Sequence, residues 1–263
     1  MLLQTLFGGV AVAITVVIYA TVPTLSLWWL LPLLVAGYAA AFLLMVLTVL
    51  TASHCTRGAM PCAARRFTYR FISHIGELAC CLSGVRVTAE GIDRLPTDRA
   101  FLIVGNHLSN LDPLVALAAL RGFEVPFVSK PENFKIPAVG TVMRNVAFLP
   151  IDRENPRNAV TTIKTAAAHI TERELCVGIY PEGTRNKTEE GLLPFHNGSF
   201  KIATTAKCPV VVMTVRYEKA AFPYRKNAII RILEVLDADY ITANRTNAIS
   251  EHTRAIIEKD LFE

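Results

Sequence analysis

The run Phe101-Leu-Ile-Val-Gly105-Asn106-His107-Leu-Ser-Asn-Leu-Asp112-Pro113-Leu-Val-Ala-Leu-Ala-Ala-Leu120 decides the fold. Phe101–Val104 is a short apolar run that stops at a glycine, the pattern of a buried strand. Asp112-Pro113 then opens a second apolar stretch at helical spacing, Pro113–Leu120, with proline where a first helical turn accepts it. A strand, a polar turn carrying a histidine and a helix form the start of a β-α unit. In α/β sheets, ligands gather beyond the carboxyl ends of the strands, which is where Asn106 and His107 fall.

The same alternation repeats along the chain. Candidate strands are Val85–Thr88, Phe101–Val104, Val125–Val128, Val146–Pro150, Leu175–Tyr180, Val210–Tyr217 and Ile229–Leu236. Candidate helices are Pro113–Leu120, Ala138–Arg144, Pro156–Glu172, Ser199–Ala206 and Asn247–Lys259. This order predicts an α/β domain over 84–263, a largely parallel sheet flanked by helices. There is no GxxxxGK[ST], GxGxxG or GxSxG sequence. No His, Cys and carboxylate spacing reads as a metal site.

The first fifty residues differ in kind. They contain no Asp, Glu, Lys, Arg or His, so all 27 Lys and Arg and all 22 Asp and Glu fall in 51–263. Mean hydropathy of the whole chain is +0.38. Leu2–Ala20 would be about 28 Å long as a helix and Leu27–Leu50 about 36 Å, against a hydrocarbon core of about 30 Å. The turn Thr21–Ser26 lies between them, flanked by Tyr19, Trp28 and Trp29 as in an interfacial aromatic belt. Residues 1–50 are therefore expected to form a two-helix membrane hairpin, either spanning or dipping into one leaflet.

Residues 51–83 read as a basic and amphipathic juxtamembrane segment. Arg57, Arg65, Arg66 and Arg70 place this side in the cytoplasm by the positive-inside rule. Phe67, Phe71, Ile75, Leu78 and Leu82 share one helical face, suited either to the membrane surface or to the domain core. The net charge of +5 fits an anionic membrane or a phosphorylated substrate and gives no ground for nucleic acid. Cys55, Cys62, Cys80, Cys81, Cys176 and Cys208 form no disulfide framework and are expected to be reduced. Acylation of Cys55 or Cys62 is the one alternative their position allows.

Three groups of residues carry chemistry. His107 can serve as a general base, because imidazole titrates near neutral pH. Asp112 can hold its other ring nitrogen, or cap the following helix. Tyr180-Pro181-Glu182-Gly183-Thr184-Arg185 follows another strand: Gly183 lets a ligand approach the backbone, Thr184 offers a hydroxyl and Arg185 a phosphate-matched fork. Glu182 could pair with Arg185. Lys130 and Arg153 follow two further strands and add positive charge suited to a dianionic phosphate.

Together these residues resemble the glycerolipid acyltransferases, and within them the enzymes that acylate 1-acylglycerol-3-phosphate. The resemblance rests on Asn106-His107-x4-Asp112 and on Pro181-Glu-Gly-Thr-Arg185. It extends to Lys130-Pro-Glu132, Pro137-Ala-Val-Gly140 and Ala147–Arg153, and to Cys208-Pro209-Val-Val-Val212. It implies an α/β acyltransferase fold with His107 and Asp112 as catalytic residues. Asn106, Lys130, Arg153, Glu182, Gly183, Thr184 and Arg185 would bind substrate. It implies acyl-CoA or acyl-carrier protein as co-substrate, no cofactor, and lysophosphatidic acid and membrane lipid as partners at the cytoplasmic face of a membrane. A sibling enzyme using glycerol-3-phosphate or another lysophospholipid, or a non-catalytic lipid-binding membrane protein, are the alternatives.

Overall fold

The computed structural model describes residues 2–22, 26–55, 62–188 and 191–263. Two helices come first, α1 (Leu2–Thr21) and α2 (Leu30–Cys55), and they pack on each other. A Cβ added at Gly37 would sit 3.1 Å from Cα of Ala11, so the glycine lets the two backbones approach closely. Leu30–Thr48 in α2 has a mean hydropathy of 2.4 with 6% of it buried, and is long and apolar enough to cross a membrane. The described apolar part of α1, Gly9–Thr21, is shorter than a span. The centre of the turn at 23–25 and Arg57 lie outside the described residues.

Helix α3 (Cys62–Leu82) follows. Its apolar face is divided rather than continuous. Phe71 is buried against Tyr38, Phe42 and Val46 of α2, while Phe67 and Leu82 remain exposed. The opposite flank packs on the domain, where a Cβ at Gly76 would lie 2.9 Å from the carbonyl oxygen of Leu114. Arg65 and Arg66 both pair with Glu124. The amphipathic helix thus bridges the hairpin and the domain instead of lying wholly on either.

The domain contains β1 (Val85–Glu90), β2 (Leu102–Gly105), α4 (Asp112–Ala119), β3 (Val128–Ser129), α5 (Val139–Asn145), β4 (Leu149–Pro150) and α6 (Pro156–Arg173). It continues with β5 (Val177–Ile179), α7 (Lys201–Ala206), β6 (Val210–Lys219), β7 (Lys226–Leu236), α8 (Ala238–Ala243) and α9 (Thr246–Phe262). The main sheet has the order β1-β7-β6-β2-β5. Only the β6–β7 hairpin pairs antiparallel; β1–β7, β2–β6 and β2–β5 are parallel. A parallel bridge from Phe127 to Gly178 attaches the parallel pair β3–β4 beyond β5.

The central strands are apolar on both faces, as a sheet covered by helices on each side requires. Ile103, Met213, Val215 and Ile230 join a core that includes Val115 and Leu120 around α4. Leu102, Val104, Val210 and Val212 face the other way, toward Ala166 of α6, Ile202 of α7 and Ile257 of α9. Each fully buried Leu, Ile or Val contributes roughly 1.5–3 kcal/mol. Helix α8 was not expected from sequence. It is started by Asp237, whose carboxylate accepts the Tyr240 N–H at 2.7 Å.

Candidate active site

Because β2, β5, β3 and β4 run parallel, the loops after them open at one edge of the sheet. The residues expected to do chemistry lie in those loops, save Asp112, which opens α4 just after the β2 loop. His107 follows β2, Lys130 follows β3, Arg153 follows β4 and Glu182–Arg185 follow β5.

His107 is fixed on every side. Its Nδ1 lies 2.7 Å from Oδ2 of Asp112. Its backbone N–H donates to Oε1 of Glu182 at 2.8 Å, and its carbonyl accepts the N–H of Asn186 at 2.7 Å. Its ring stacks on Tyr180 with centroids 4.5 Å apart and planes 13° apart. Tyr180 in turn stacks on Phe127 at 5.4 Å. Phe127 lies flat against β5 because residue 178 is glycine: a Cβ there would stand 2.4 Å from the ring. The orientation of the imidazole is therefore traceable to the absence of a side chain on the neighbouring strand, β5.

Asp112 is fully buried. Besides His107, its Oδ2 accepts the N–H groups of Leu108 at 2.6 Å and Ser109 at 2.7 Å. Its Oδ1 accepts the hydroxyl of Tyr217 at 2.6 Å. Four donors converge on one carboxylate, the set an ionised acid accepts. Asp112 does not cap α4; the residue at the cap position is Leu111, with no side-chain cap bond. The carboxylate instead turns back into the loop, where three donors compete for it. With Nδ1–H donated to Asp112, the lone pair of His107 is left on Nε2.

Two other expected ligands are occupied by protein. Asn106 is fully buried, and its amide donates to the Val215 carbonyl at 3.0 Å and accepts the Val215 N–H at 2.8 Å. It closes the β2–β6 pairing just before His107. Glu182 is buried and accepts from His107 N–H and from Leu193 N–H at 3.0 Å. It does not pair with Arg185. Burial pushes its carboxyl up from the usual range, and those two N–H groups oppose that shift.

Gly183 is buried with φ +75°. A Cβ on it would meet Nε2 of His196 at 2.8 Å and Nη1 of Arg153 at 2.9 Å. Arg153 is exposed as a residue, yet enough protein crowds its charged end to pull its pKa below the usual value. Its guanidinium makes no hydrogen bond or ion pair among the described residues. Lys130, Thr184 and Arg185 are exposed. Their side chains likewise have no bonded partner among the described residues.

The family model described as Acyltransferase matches residues 86–216, which contain all of these groups but Tyr217. The chain carries a domain of the acyltransferase family over residues 86–216. It is 26% identical to the human 1-acyl-sn-glycerol-3-phosphate acyltransferase alpha over 179 residues, 66% of this chain and 62% of that protein. It thus spans less than two thirds of the length of that relative. It is 29% identical to the 1-acyl-sn-glycerol-3-phosphate acyltransferase of Haemophilus influenzae, over 65% of this chain and 73% of that one. The crystal structure of the 1-acyl-sn-glycerophosphate acyltransferase PlsC from Thermotoga maritima superposes with a TM-score of 0.66. That match covers 81% of this chain and 86% of that one at 22% identity, and shows a shared fold.

Within this acyltransferase site, three residues escaped sequence reasoning. The sequence marks Tyr180 and Tyr217 only as the last residues of strands and gives His196 no role. Tyr217 did carry a signal. It lies at period two from Met213 and Val215, whose side chains line the core that α4 joins. His196 carried none, because its place depends on a turn between irregular segments.

Proposed function

We propose that this acyltransferase moves a fatty acyl group from acyl-CoA or acyl-carrier protein to the sn-2 hydroxyl of 1-acyl-glycerol-3-phosphate, giving phosphatidic acid. The observation that carries this reading is the His107–Asp112 pair at 2.7 Å, standing on the same sheet edge as Arg153 beside Gly183, a guanidinium with no bonded partner among the described residues. In this reading Nε2 of His107 takes the hydroxyl proton of the acceptor. The resulting alkoxide attacks the thioester carbonyl. The tetrahedral intermediate collapses, the C–S bond breaks, and the departing thiolate receives the proton from His107. Asp112 holds the imidazole in place and offsets its charge while it is protonated.

A general base of this kind supplies roughly 10²–10⁴ in rate, about 3–5 kcal/mol at 1.36 kcal/mol per decade. Arg153, Gly183, Thr184, Arg185 and Lys130 would receive the acceptor phosphate. Asn106 and Glu182 would act through the backbone around His107 rather than on the substrate. The apolar α1–α2 pair would hold the enzyme at a membrane, with residues 84–263 on the cytoplasmic face, next to the lipid acceptor and product.

The test is acyl transfer by detergent-purified protein. Labelled oleoyl-CoA, or oleoyl-acyl-carrier protein, is offered with lysophosphatidic acid, glycerol-3-phosphate or lysophosphatidylcholine, beside His107→Ala. Label in phosphatidic acid alone, absent in the variant, is the expected result. Transfer to glycerol-3-phosphate alone would move the reading to a sibling reaction. No transfer from either donor would overturn it.

A further inference from the structure

We infer that His196 is a ligand of the acceptor's phosphate, joined to Arg153 across Gly183. This rests on the acyl transfer proposed above and concerns the same site. The point where a Gly183 Cβ would stand lies 2.8 Å from Nε2 of His196 and 2.9 Å from Nη1 of Arg153. The two nitrogens are therefore close enough for one phosphate to accept from both, at the usual 2.7–2.9 Å or so of a charge-assisted bond.

The histidine is held there by its backbone. The His196 N–H donates to the Pro181 carbonyl at 2.9 Å, and the Leu193 N–H donates to Glu182 at 3.0 Å. The segment 193–196 is thus laid along the loop that carries Gly183, with the imidazole over the glycine. Neither side chain has a bonded partner among the described residues. The other charged groups around it do not neutralise the pair. Arg185 is exposed on the same loop, and both oxygens of Glu182 are taken by backbone N–H groups. Arg254 lies over the Phe195 ring at 5.9 Å and pairs with Glu258. An arginine short of counter-charge beside an imidazole and a bare glycine is a receptor for an oxyanion.

The experiment measures KM for lysophosphatidic acid and for acyl-CoA in wild type, His196→Ala and His196→Lys. Loss of one hydrogen bond to the charged phosphate should raise the acceptor KM of His196→Ala about tenfold, with donor KM and melting temperature unchanged. The His196→Lys variant restores a donor and should keep the acceptor KM near that of wild type. An equal acceptor KM in wild type and His196→Ala would overturn the inference while leaving the transfer reaction standing. If wild type transfers nothing to lysophosphatidic acid, the proposed reaction fails instead. Calorimetric binding of glycerol-3-phosphate by wild type and His196→Ala then decides the inference alone, with equal affinities sinking it.

Discussion

The hydroxyl of Tyr217 donates to Oδ1 of Asp112 at 2.6 Å, joining residues 105 positions apart. Burial, with the neighbouring Asp112 charge, drives the phenol far above its usual pKa, so it stays a donor at any working pH. Tyr217 does not reach the reacting atoms; it fixes the carboxylate that fixes the imidazole. Tyr217→Phe should lower kcat by about tenfold, the order expected for one hydrogen bond to a charged group, and leave both KM values near wild type. Steady-state kinetics with a matched melting curve would check this, and a changed acceptor KM with normal kcat would count against it.

Asp112→Asn tests the same network more harshly. An amide brings two hydrogens of its own to a position where four donors already point. Turnover should fall by about 10² or more, and the fold should loosen as buried donors lose partners. The His107→Ala change should abolish turnover with little loss of stability, since that side chain is partly exposed. Single-turnover rates and thermal melts separate the two.

Gly178→Ala should act at a distance. The new methyl would stand 2.4 Å from the Phe127 ring, and overpacking of this kind costs about 1–3 kcal/mol. If Phe127 moves, Tyr180 and His107 lose their stack. A lower melting temperature together with a lower kcat is expected. Loss of stability with unchanged kcat would show that the ring stack does not orient the base.

The buried thiols set an alkaline limit to stability. Burial pushes Cys176 up to about 12 and Cys208 up to about 11. In the unfolded chain both ionise near their ordinary value, about 8.5. Below that value they favour neither state; above it the unfolded chain binds fewer protons, so stability falls as pH rises toward the folded values. Melting temperature should therefore drop between pH 8 and 10.5, and less steeply in Cys176→Ala. Native Cys176 and Cys208 should also resist a thiol reagent at pH 8 that reacts with the exposed Cys81.

Much of the site was legible because it is local. His107 and Asp112 are five residues apart in one strand-turn-helix unit, and Glu182–Arg185 lie directly after another strand. The parallel order of the strands brings these loops to one edge. What could not be read was which polar groups the protein would use on itself. Asp112-Pro113 has the form of a helix cap, yet three donors in the preceding loop take the carboxylate. Glu182 beside Arg185 looks like an ion pair, yet two backbone N–H groups hold it. The first choice is completed by Tyr217 of β6, 105 positions away, and the second by His107, 75 positions away. Helix α8 was missed because six residues are too few to show a period.

The packing of Phe71 has a practical corollary for handling the protein. Its ring meets Phe42 at 6.1 Å and is covered by Tyr38 and Val46 of α2. Deleting 1–55 to obtain a water-soluble fragment would strip that cover and leave an aromatic side chain facing solvent on α3, one turn from Gly76 and its close contact with Leu114. The truncated fragment would exchange the apolar α1–α2 pair for a sticky helix, and its self-association would begin beside the segment that carries Asp112. A soluble version is better sought by recoding the outward-facing Leu43, Leu44 and Leu47 to polar residues while α2 stays in place.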